Sequence, residues 1–189
     1  MSQTDQSYEL EQINQACHED TKAIGWLYER YSRRIYSYIY ARLGDHAESE
    51  DATERVFLKM IENVGAYEPK GAGFAAWLFR IAHNQVVDLQ RRNGRRTFVP
   101  LDEAWYVQAS PGSDPCRQAE LSDAREHLRM CISELSDLQA CVITLRYAAE
   151  LSNPEIADVM SRTTNAVNSL HYEALKHLGK LLAIKGYTR

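Results

Sequence analysis

Residues 151–178 read LSNPEIADVMSRTTNAVNSLHYEALKHL. Ser152 or Asn153 can cap a helix here, Pro154 fits its first position and Glu155 suits its first turn. Ile156, Ala157 and Met160 then recur at helical spacing and define an inward face. Ser161-Arg162-Thr163-Thr164 makes a polar turn, after which Val167, Leu170, Ala174 and Leu178 recur at threes and fours. A short capped helix, a tight turn and a longer helix form a helix-turn-helix pattern. In such a unit the first residues of the second helix enter a DNA major groove. Those residues are Thr163, Thr164, Asn165, Asn168 and Ser169, with Arg162 beside them. Helical hairpins with polar turns also occur without DNA, so this stretch alone leaves both readings open.

Working upstream, Leu138, Val142 and Leu145, with Ile143 beside them, form the inner face of a preceding helix. Residues 97–120, TFVPLDEAWYVQASPGSDPCRQAE, lack the helical period and hold three prolines, so they read as a flexible linker. Before the linker, Ile24, Leu27, Tyr31, Ile35, Tyr38 and Ile39 mark a long helix that Gly44 and Asp45 break. Ala52, Val56, Met60 and Val64 mark a second helix, with Phe57 and Ile61 beside that row. A third runs from about Phe74 to Arg92 and stops at Asn93-Gly94. The chain is expected to be all-α: a tail over 1–20, a helical domain over 21–96, the linker over 97–120, and a second helical domain over 121–189.

The third helix carries two chemistries. At 100° per residue, Leu78, Phe79, Ala82, Val86 and Leu89 share one sector, the ordinary buried stripe. Trp77, Arg80, Asn84, Asp88 and Arg91 share a second sector roughly opposite, with Ile81 its aliphatic member. A merely solvated face carries Lys, Glu and Gln, not an indole in line with amide, carboxylate and guanidinium groups. Trp77 fits either a core position or a face made to touch something.

Charge is distributed unevenly over the 189 residues. The net charge is −4, yet residues 76–99 hold five Lys/Arg against one acid, and residues 151–189 hold five against three. The segments 1–75 and 100–150 are each acidic. Phosphate binding needs local cation density, not a basic mean. The map therefore implies two weak DNA contacts that act together, with an acidic remainder that discourages unaided binding.

Other classes find less support. No apolar run approaches the roughly 20 residues of a membrane span, and the polar, acidic start does not read as a signal peptide. Cys17, Cys116, Cys131 and Cys141 show no metal-ligand spacing and are expected as reduced thiols. No metal and no cofactor are expected. No nucleophile elbow or phosphate-binding glycine loop is present, and His83 and Asp88 sit five apart on a helix, so an enzyme is not expected.

With both halves read, the chain resembles alternative sigma factors of the sigma-70 family, in the extracytoplasmic-function (ECF) group. In the first half the resemblance rests on LYERYSRRIYSYIYARLGD, AESEDATERVFLKM and FAAWLFRIAHNQVVDLQRR, which are similar to the family's region two. In the second half it rests on LSDLQACVITLRYAAELSNPEIADVM and AVNSLHYEALKHL, similar to region four. The resemblance implies a promoter-specificity subunit that binds the clamp helices and flap region of bacterial core RNA polymerase, opens the minus-10 element and reads the minus-35 element. It implies Glu50, Asp51 and Glu54 as polymerase contacts, although the family's usual residue at 54 is Gln.

Lys70, Phe74, Trp77, Arg80, Asn84, Asp88, Arg91 and Arg92 would meet minus-10 DNA, with Arg95 and Arg96 as further cations. The loop from Lys70 to Phe74, with Gly71 and Gly73, would help capture a flipped base. Arg162, Thr163, Thr164, Asn165, Asn168 and Ser169 would meet minus-35 DNA. The family usually has a cation at positions 168 and 173 and Leu at 171, where this chain has Asn, Glu and His. Asn168 could instead read adenine through both amide atoms, while His171 fits an apolar-row core position. The linker, with Asp102, Glu103 and Asp114, would thread the polymerase interior, although a solvated tether explains its composition equally.

The implied partners are core polymerase, promoter DNA and an anti-sigma protein, and the implied location is cytoplasmic, at the nucleoid through the polymerase. Two other readings compete: a stand-alone helix-turn-helix regulator, and a sigma-like decoy for an anti-sigma protein.

Overall fold

A computed structural model of the chain describes residues 3–69, 72–93, 131–132 and 134–184. These hold seven helices: α1 (Gln3–Cys17), α2 (Thr21–Leu43), α3 (His46–Val64), α4 (Phe74–Asn93), α5 (Asp137–Tyr147), α6 (Asn153–Val159) and α7 (Thr164–Ile184). No strand occurs among the described residues. The expected linker, with Asp102, Glu103 and Asp114, lies outside them, as do Lys70, Arg95 and Arg96.

Local chemistry sets the helix ends. Asp20 accepts from the Lys22 and Ala23 N–H groups at 2.8 and 3.1 Å, opening α2. Gly44 closes it with φ at 78°, a left-handed turn that glycine adopts without a steric penalty. Asp45 immediately caps α3 by accepting from Glu48 N–H at 2.8 Å. Two consecutive residues thus reverse the chain between the long helices.

α2, α3 and α4 pack on one another around Leu27, Tyr31, Ile35, Tyr38, Ile39, Val56, Met60, Leu78, Phe79 and Val86, all buried. Polar ties cross the same seams. Arg42 Nη2 donates to Gln90 Oε1 at 3.1 Å, Gln90 Nε2 returns a bond to Arg42 O at 2.9 Å, and Lys59 Nζ donates to Gln85 Oε1 at 3.1 Å.

Two expectations need correction here. Residues 1–20, expected as a tail, hold α1, which lies against α2. Its few apolar residues suffice because Ile13 and Ala16 are buried and the Tyr31 hydroxyl donates to Glu9. Ile61, expected beside the inward row of α3, is 47% exposed. It stands about 120° around the helix from the centre of that row, past the edge of the core.

The second module packs α5 and α6 on α7 over Leu145, Ile156, Val167, Ala174 and Leu178. Ser136 caps α5 through a capping box with Gln139. The two modules also touch each other. α6 lies on α4 and α5 on α2, and one apolar cluster runs from Leu78 and Phe79 through to Leu151, Ile156 and Val167.

Candidate nucleic-acid interface

α4 projects Asn84, Asp88, Arg91 and Arg92 into solvent along its outer side. Asp88 and Arg91 sit one turn apart, their charged atoms 3.5 Å from each other, with both side chains more than half exposed. Such an exposed pair costs little to separate, so each group stays available to a base or phosphate.

Trp77, half-buried, begins this face. Its ring lies 5.2 Å from Tyr67 and 5.3 Å from Phe74, centroid to centroid, and Phe74 in turn lies 5.7 Å from Tyr31. One side of the indole therefore belongs to an aromatic cluster, and the ring is only partly exposed. Phe74, expected among the DNA contacts, is only 4% exposed. Its side chain supports Trp77 from within and offers no surface to a ligand. Just before it, Gly73 adopts φ of 90°, a conformation that a side chain would strain.

Arg80 differs from its neighbours on the face. Its Nη2 donates to the backbone carbonyl of Asp158, on α6, at 3.0 Å and also to the Asp158 carboxylate. His83 turns the other way: its Nδ1 stands 2.9 Å from the Tyr38 hydroxyl and 3.7 Å from Cys141 Sγ. Burial first, and the nearby Arg42 cation second, push the His83 pKa down to about 4, so the ring is neutral. Burial also raises the Cys141 thiol, which suits a packing role.

The helix-turn-helix follows its expected local chemistry. Glu155 accepts from the Ser152 N–H and hydroxyl at 2.7 and 2.6 Å, fixing the start of α6. Ser161 takes a positive φ of 52° in the turn, and the Thr163 hydroxyl accepts from Ala166 N–H at 3.2 Å at the start of α7. Arg162, Thr163, Thr164, Asn165, Asn168 and Ser169 are all exposed.

Asn168, however, accepts on its amide oxygen from Asn153 Nδ2 at 2.7 Å. That bond anchors α7 to α6 and competes with a two-bond reading of adenine. Tyr172, 68% exposed, and Lys176, also exposed, continue the same face by one and two turns. Helical spacing from Asn165 and Asn168 could have found both. His171 is half-buried beside the Tyr147 hydroxyl at 3.3 Å, and burial lowers its pKa.

A different surface belongs to α3. Glu50, Asp51 and Glu54 are exposed, while Ala52, Val56 and Met60 point inward. Leu58, 59% exposed, and Ile61 share one sector with the three acids. The resemblance drew attention to the acids alone, but the face mixes charge with uncovered apolar groups. That mixture suits a protein partner.

Fold and sites together define a two-module helical protein of the class that joins a small helical bundle, here α1–α4, to a helix-turn-helix. Residues 27–96 match the family described as Sigma-70 region 2, and residues 125–178 match Sigma-70, region 4. The chain is 33% identical over 185 residues to the ECF RNA polymerase sigma factor BldN of Streptomyces coelicolor, covering 95% of this chain and 67% of that protein. The chain belongs to the sigma-70 family as an ECF sigma factor.

Solved structures show the same fold. CnrH, solved in complex with the cytosolic domain of CnrY, aligns at a TM-score of 0.65 and 22% identity over 92% of this chain and 96% of that one. The sigma factor RpoE, solved with the anti-sigma factor NepR from Bartonella quintana, aligns at 0.64 and 18% identity over 87% and 99%. No helix among the described residues is long and apolar enough to cross a membrane.

Proposed function

We propose that this sigma factor binds core RNA polymerase through α3, opens promoter DNA at the minus-10 element with the outer face of α4, and touches the minus-35 element with the start of α7. It would act in the bacterial cytoplasm, at the nucleoid through the polymerase, and by binding alone. The observation that carries the reading is the exposed row of Asn84, Asp88, Arg91 and Arg92 beside a half-open Trp77.

Separated strands present phosphates and unstacked base faces, and duplex DNA hides the latter. Arg91 and Arg92 would neutralise phosphates, Asn84 and Asp88 would hydrogen-bond base edges, and Trp77 would supply a stacking surface. Base–aromatic stacking is worth about 1–3 kcal/mol per base, so a few captured bases offset the local cost of strand separation without ATP. Lys70 and the loop before Phe74 are assigned to base capture on resemblance alone.

At minus-35, Arg162, Thr163, Thr164, Asn165 and Ser169 supply hydrogen bonds, while Asn168 acts mainly by bracing α7 against α6. Tyr172 extends the contact. The lack of a cation at Asn168 and the acid at Glu173 make this the weaker of the two contacts. Glu50, Asp51 and Glu54, with Leu58 and Ile61, form the surface offered to the polymerase clamp helices, and the second module is assigned to the flap region. An anti-sigma protein is assigned as the controlling partner by analogy with relatives of this fold.

The test is reconstitution with bacterial core polymerase on fragmented genomic DNA, followed by sequencing of transcript 5′ ends. The reading requires start sites that share elements near minus-10 and appear only when the chain is added. Start sites identical to those of core polymerase alone would refute it.

A further inference from the structure

Near the end of α4 and the start of α5, the two modules line a cleft of about 490 Å³. Arg42 of α2, and Val87 and Gln90 of α4, form one wall. Leu138 and Cys141 of α5, and Met160 at the end of α6, form the other. The volume falls within the roughly 300–1,000 Å³ of small-molecule sites. A helix about 10–12 Å across would fill it with roughly one turn, so the space is scaled to a small molecule and not to a protein segment.

Its lining is cationic in a chain whose net charge is −4. Arg42, Arg91 and Arg162 bring three guanidinium groups from three parts of the sequence, against the single carboxylate of Asp137. Arg42 is only 4% exposed, and its two bonds with Gln90 fix its position. Arg91 and Arg162 are exposed. The positive field reaches the inner wall. Burial raises the Cys141 thiol most, and Arg42 and Arg162 both work against it. The neutral His83 lines the same wall and adds hydrogen-bonding capacity without a further charge.

The remaining surface is apolar. Leu138, expected on the inner face of α5, is 40% exposed and lines this cleft beside Val87 and Met160. Fixed guanidinium forks opposite an apolar wall match a ligand that carries phosphate at one end and an organic body at the other.

We propose that this cleft binds a small organophosphate, of the size of a nucleoside diphosphate, with its phosphates on Arg42, Arg91 and Arg162 and its organic body against Val87, Leu138 and Met160. A bound phosphate would compete with promoter DNA for Arg91 and Arg162. That consequence rests on the proposed promoter reading, whereas the site itself does not.

The test titrates the full chain into ADP carrying a ribose-linked N-methylanthraniloyl fluorophore and reads anisotropy. Binding should saturate with a Kd below about 1 mM, and unlabelled ADP should displace the probe while adenosine, which has no phosphate, should not. Arg42→Gln should weaken binding at least about tenfold, the scale of one charged hydrogen bond. Arg33→Gln, which removes an exposed cation of α2 outside the cleft, should not weaken it. Should circular dichroism show that Arg42→Gln fails to fold, Leu138→Glu, at a partly open position, sets a carboxylate in the cleft and carries the same expectation. Absence of saturable binding, displacement by adenosine as effective as by ADP, or a folded cleft variant that binds as tightly as Arg33→Gln would each overturn the site. The measurement uses neither polymerase nor DNA, so its failure is distinct from failure of the promoter reading.

Discussion

Asn84 and Arg91 stand in solvent, whereas Arg80 on the same face is engaged by Asp158. The first two therefore report on DNA contact with the least structural interference. Asn84→Ala or Arg91→Ala should reduce minus-10 opening about tenfold, on the scale of 1–3 kcal/mol for a base contact, while core polymerase binding persists. Permanganate footprinting and pull-down read the two effects separately, and near-normal opening by both variants would remove the assignment.

Phe74 and Trp77 divide a different way. Phe74→Ala takes a ring out of the aromatic cluster, where such changes cost about 3–5 kcal/mol, and should lower the melting temperature markedly. Trp77→Ala removes a half-open ring and should lose less stability but more affinity for single-stranded DNA. Equal losses in thermal melting by the two variants would contradict this division.

At the scale of elements, α3 is a two-sided device. Ala52, Val56 and Met60 hold it to the bundle, and Glu50, Asp51, Glu54, Leu58 and Ile61 lie outside. Asp51→Lys/Glu54→Lys should leave the fold intact and weaken association with core polymerase at least about tenfold, in line with like-charge and interface-truncation costs. Surface plasmon resonance against immobilised core enzyme measures it, and unchanged affinity would refute the α3 surface.

The long helices were legible in the sequence because their signals are local. Asp20, Asp45 and Gly44 punctuate them, and apolar spacing marks their inner rows. α1 was not legible: it is mostly polar, and it is helical because Ile13, Ala16 and Glu9 find partners on α2. The candidate site divides likewise. Helical phase identified the faces of α4 and α7, but it could not show Phe74 turned into the aromatic cluster or Asn168 engaged by Asn153. Those outcomes depend on residues distant in the chain or on the neighbouring helix.

Across the whole molecule, the two modules share a seam at which Tyr38, His83 and Cys141 meet. His83 falls from its ordinary pKa of 6.5 to about 4 in the folded chain. Because the folded value is depressed, the unfolded chain binds the proton more readily. The stabilisation is complete above 6.5 and is lost as pH falls through 4. It amounts to about 2 kcal/mol once partial exposure of the ring is allowed for. Urea melts at pH 7.5 and 4.5 should show that loss, and His83→Gln should shrink it. An equal acid sensitivity in the variant would assign the loss to other groups.

α1 bears on how the protein is handled in pieces. The region 2 match starts at residue 27, ten residues after α1 ends and inside α2. A chain trimmed to that border would discard the Asp20 cap and the partner of the Tyr31 hydroxyl, and would strip Ile13 and Ala16 from the bundle. Family borders mark where sequences stay recognisable; in this protein the physical edge of the first module lies a whole helix earlier.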